Sequence, residues 1–152
     1  MDILSDIEDT TDIEVYVTHG NHDILNPKAV GFDGANEVPT DHITEAQYKE
    51  MYAEFGYGQA VAQDSNSLSY AVDLDEDTRL IVMDSVLYDT NINDNYPKTE
   101  GAIDQERMDW ILAQIADAKT EGKKILGMTH HQSILYLHQD PRHSLMNLDL
   151  GQ

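Results

Sequence analysis

Three apolar runs of strand length constrain the fold most: "EVYV" at residues 14–17, "LIVMD" at 80–84 and "KKILGM" at 123–128. Such runs, bounded by turn residues, read as short buried strands. Helical patterns lie between them. Thr44 with Gln47 forms a capping box, and Tyr48, Met51, Tyr52 and Phe55 follow at i, i+3, i+4 and i+7, ending at Gly56. A second helix is predicted behind Asp104, with the stripe Met108, Ile111, Leu112 and Ile115, Lys119 near its end and Gly122 closing it. Leu68, Tyr70, Val72 and Leu74 alternate with small or polar residues, as a half-exposed strand does, and should pair antiparallel with the "LIVMD" run. The order strand, helix, strand pair, helix, strand is α/β. Residues 26–41 and 84–101 read as long polar loops.

Two polar clusters follow directly behind apolar runs: "GNHD" at 20–23 and "MTHHQ" at 128–132. Ligand sites of α/β folds lie beyond the carboxyl ends of strands, which is where these clusters fall. A polar turn, a metal site and an acid/base pair all fit the first cluster. Gly20 permits a tight turn, and Asn21 offers an amide oxygen to a hard cation. His22 can protonate a leaving group, with Asp23 holding its imidazole. In the second, His130 and His131 offer imidazole nitrogen to zinc, iron or manganese. Alone, each cluster suits a plain structural role. Together, each behind a strand, they favour a site.

Bulk properties narrow the partners. At 152 residues and 40% hydrophobic content the chain makes one domain, residues 1–152. Nine basic against 29 acidic residues leave a net charge of −20, which repels nucleic acid and anionic membrane alike. A phosphate ester is repelled too unless bound cations reverse the local field. No Cys is present, so disulfides and thiol chemistry are excluded. No signal peptide or membrane-spanning run is visible, so the chain as given reads as cytoplasmic, while the compartment itself stays open and full-length relatives can be exported.

The motifs "VYVTHGNHDI" with "NPKA", "FGYGQAVAQDSNSLSYAVDL", "LIVMDS", and the Trp110 helix leading to "GKKILGMTHHQSIL" resemble a calcineurin-like metallophosphoesterase. The likeness is to its bacterial cyclic-nucleotide phosphodiesterase-like branch and spans nearly the whole chain. It implies a sandwich of mixed β-sheets flanked by helices, with metals at one edge. It implies attack of metal-bound hydroxide on a phosphoester, a cyclic nucleotide among the candidates, using divalent Mn, Fe or Zn. By the same resemblance Asn21 and His130 are metal ligands, with His131 as an adjacent candidate. His22 is the phosphate-contacting acid and Asp23 its orienting partner.

The family's opening Asp-x-His, its Gly-Asp and its closing Gly-His-x-His have no counterpart here. Asp41 and His42 stand adjacent in a loop, and His138 and His143 lack that closing pattern. The resemblance therefore implies a partial sandwich lacking the N-terminal strands and C-terminal motif, weakly active or inactive as given. The alternative is a non-catalytic remnant that binds or self-associates as a homodimer through an unpaired sheet edge.

Overall fold

The computed structural model describes residues 2–131. The chain opens with helix α1 (Asp2–Thr11), in which Ile3 and Ile7 share a face; Asp12 ends it with a positive φ of 57°. Residues 14–17, predicted as a buried strand, join no sheet. Their backbone is held instead by the Val17 N–H donating to Phe55 O at 3.2 Å and the Tyr70 hydroxyl donating to Val17 O at 2.7 Å. With those partners taken, no ladder forms.

Residues 26–41, read as loop, contain an antiparallel hairpin, β1 (Val30–Asp33) with β2 (Asn36–Pro39). Gly34 at its tip adopts φ +62°. Helix α2 (Glu45–Met51) starts at the predicted capping box, with Thr44 and Gln47 bonded reciprocally. It gives way to a π-helical turn at Ala53–Tyr57. Tyr48 and Phe55 of the predicted stripe are buried, whereas Met51 is exposed.

The main sheet has four strands in the order β3 (Ala62–Gln63), β4 (Tyr70–Asp73), β5 (Thr78–Met83) and β6 (Lys124–Thr129). β3, β4 and β5 run antiparallel, while β5 and β6 are parallel, from Thr78 opposite Lys124 to Met83 opposite Thr129. The crossover carries a short helix α3 (Asn91–Asp94) and the long α4 (Gln105–Thr120), capped by Asp104 as predicted. The molecule is therefore a small α/β fold with mixed and antiparallel sheets.

Burial departs from the expected pattern on two strands. β4 was predicted half-exposed, but Tyr70, Ala71 and Val72 are all buried, because β3 and β5 flank it and packing covers both faces. β6 was predicted buried, yet Ile125 and Leu126 are 36% and 52% exposed. Among the described residues it has β5 on one side only, so it forms the sheet edge. The core gathers Ile24, Leu68, Tyr70, Val72, Val82, Val86 and Tyr88. Arg79 of β5, itself buried, bridges to α4 through Asp117 (3.2 Å) and Glu121 (3.0 Å) while Asp73 of β4 takes its Nε at 2.7 Å. Each end of the guanidinium has a carboxylate, which makes its burial tolerable. Among the described residues no helix is long and apolar enough to cross a membrane.

Candidate functional site

The two polar clusters meet. His130, at the carboxyl end of β6, lies with Nε2 3.0 Å from Asn21 Oδ1, across 109 residues of sequence. Since the amide oxygen accepts, His130 Nε2 donates. The "GNHD" segment is a turn in which the Asp23 N–H donates to Gly20 O at 3.2 Å. Asp23 Oδ2 closes the turn by accepting the Gly20 N–H at 2.7 Å. Gly20 is not in the left-handed region; its service is space, since a Cβ there would sit 3.2 Å from His130 Cε1.

The expected hydrogen bond between Asp23 and the His22 imidazole is not made among the described residues. His22 is exposed, and both side chains line a cavity of about 310 Å³. His131 turns away from Asn21. Its Nε2 donates to Thr99 O at 3.2 Å, and its Nδ1 accepts from the Ser85 hydroxyl at 2.9 Å. A Cβ at Gly101 would run into this ring. Burial, then the neighbouring His130 imidazole, hold the His131 pKa below the usual histidine value. His131 is thus neutral with both nitrogens committed to the protein, an arrangement that anchors a loop and leaves no lone pair for a cation.

Beneath the clusters lies a buried charge that the sequence reading passed over. Asp84, immediately after β5, accepts from the backbone N–H groups of Leu68 (3.1 Å) and Val86 (2.9 Å) and from the Tyr88 hydroxyl (3.0 Å). His19 Nε2 lies 2.9 Å from Asp84 Oδ1, though not aligned for a hydrogen bond, and Arg107 Nη1 lies at 3.8 Å. Burial by itself would raise the Asp84 pKa, but His19, Arg107 and the Val86 N–H together hold it below the ordinary aspartate value. His19 directly precedes "GNHD" and stacks edge-on to Tyr48 and Tyr88. The hub therefore fixes the root of the loop that carries Asn21 and His22. Its one sequence signal was an acid closing an apolar strand.

Asn21 and His130 do not form a metal centre as they stand. Their oxygen and nitrogen face each other through a proton, and no carboxylate joins them. Among the described residues no group of three or more His, Asp or Glu is placed to hold a metal ion. The donor set is two neutral atoms, too few and too uncharged for a divalent cation of this type. His138 and His143 lie outside the described residues.

The chain matches no family model, and no curated protein matches it.

Proposed function

We propose that this chain is the portion of a metal-dependent phosphoester hydrolase that carries the His22 acid and the Asn21 and His130 ligand positions, within a partial metallophosphoesterase sandwich. The observation that supports this reading is the 3.0 Å contact of Asn21 with His130, two residues from separate polar clusters 109 positions apart. By itself the chain is a poor enzyme, because the charge needed to hold a phosphoryl group is missing. The test is hydrolysis of bis(p-nitrophenyl) phosphate with added Mn, Fe or Zn, alongside His22→Ala and Asn21→Ala. Slow turnover that needs metal and falls further in both variants is expected. Turnover that is indifferent to metal and to His22 would overturn the assignment.

A second reading, a self-associating non-catalytic module, is favoured by β6. Among the described residues its outer edge has no strand neighbour, and its Ile125 and Leu126 are exposed. Sedimentation equilibrium distinguishes this reading: it requires a concentration-dependent dimer, and a strict monomer would rule it out.

A further inference from the structure

We infer that the cavity beside His22 is a binding site for an organic cation bearing N–H donors, a primary ammonium or a guanidinium. The cavity measures about 310 Å³, at the lower end of the range for small-molecule sites. Its wall carries Asp23 and Asp41, the aromatic rings of Tyr48 and Tyr52, and His42, with no Lys or Arg among its lining residues. In the absence of bound metal, that lining attracts positive charge.

Each polar wall group has acceptor capacity to spare. Asp23 uses Oδ2 on the Gly20 N–H and keeps Oδ1. Asp41 makes no hydrogen bond or ion pair among the described residues. His42 Nδ1 donates to the Asn26 carbonyl at 2.8 Å, which leaves Nε2 with its lone pair. Tyr48 lines the cavity from the core side, 3% exposed as a residue. The rings of Tyr48 and Tyr52 stack tilted at 4.5 Å, and aromatic faces attract cations.

The wall is also preformed. The loop holding Asp41 and His42 is tied to the "GNHD" side by the His42 contact and by the Leu25 N–H donating to Ile43 O at 3.0 Å. An inorganic cation fits less well, since no three of these ligands stand close enough to share one. The site goes beyond the hydrolase reading and does not depend on it, because binding is measured without turnover.

The experiment is a titration of the metal-free chain with agmatine, which carries both cationic groups, at physiological salt, followed by calorimetry and amide NMR. One-to-one binding is expected, with shifts at Asp41, His42 and Tyr52. Asp41→Asn and Tyr52→Ala should each weaken it about tenfold or more, with helix content by circular dichroism unchanged. Because the whole chain is acidic, Asp33→Asn at the hairpin tip, outside the cavity lining, serves as the charge control and should leave affinity unaltered. Equal weakening by Asp33→Asn would reduce the effect to bulk attraction and overturn the site. So would manganese alone saturating the same amides more tightly than agmatine, since that makes the cavity a metal site. Agmatine binding without any phosphodiesterase turnover upholds the cavity and counts against the hydrolase reading alone.

Discussion

Asp84 is the single residue on which most of the site's geometry rests. Three N–H or O–H donors converge on its carboxylate, with the His19 imidazole at 2.9 Å and the Arg107 guanidinium at 3.8 Å. A buried carboxylate without those partners would be driven to protonate; with them it stays ionised. Removing it strands the donors and leaves Arg107 buried beside an empty space. Asp84→Ala should therefore cost about 3–5 kcal/mol in urea unfolding, and a loss under 1 kcal/mol would show that the hub is decorative. The pH dependence follows from the sign of the shift. Its folded pKa is depressed, so the unfolded chain binds the proton first as pH drops. The stability it contributes is complete above the ordinary aspartate value of 3.8 and is lost as pH falls through the lower folded value. Asp84→Asn should flatten that acid limb; a limb of undiminished slope would assign acid sensitivity to other carboxylates, Asp73 beside Arg79 foremost.

At the scale of elements, what is written locally was legible and what depends on neighbours was not. The α2 start is specified by Thr44 and Gln47, and the α4 limits by Asp104 and Gly122, all within one helical turn. The exit from α2 shows the same local control. Gly56 adopts φ +119°, and a Cβ there would lie 2.5–2.8 Å from the Tyr70 ring and hydroxyl. Gly56→Ala combines backbone strain with overpacking and should destabilise by about 2–4 kcal/mol, read as a lower urea midpoint at unchanged slope; a midpoint within error of the parent would refute the packing account. By contrast, residues 14–17 have strand composition but, among the described residues, no strand beside them, and β6 has core composition but an exposed place. Composition reports what a segment can bury, whereas its position in the sheet decides what it does bury. The hairpin of β1 and β2 had a signal in Asp33-Gly34 that the loop-rich surroundings masked. Asn21 and His130 were legible as polar clusters behind apolar runs, but only His130 ends a strand; Asn21 reaches it from a turn behind residues 14–17, which join no sheet among the described residues. Asp41, His42 and Tyr48 were not legible as one wall, since their meeting depends on a loop docked through Asn26 and Leu25.

For the whole molecule, a charge of −20 and a sheet edge without a strand neighbour among the described residues pull in opposite directions. Like charges spread over a small surface repel a second copy at long range, but ions at physiological strength screen that repulsion beyond about 8 Å. Strand pairing and apolar contact act only on touching, so added salt removes the opposing force and leaves the attractive one. β6 begins with Lys124, preceded by Lys123, and so presents its least acidic stretch where a second β6 would meet it. Two copies related by a two-fold axis can pair these edges antiparallel, each covering the other's Leu126. Dimerisation should therefore tighten from low to high salt in sedimentation velocity. Leu126→Glu should weaken it at every salt concentration while leaving the unfolding midpoint nearly unchanged, because that side chain is already half exposed. A monomer that persists at high salt and high concentration would mean that the two lysines and the exposed edge keep copies apart, with β6 protected by charge rather than by a partner.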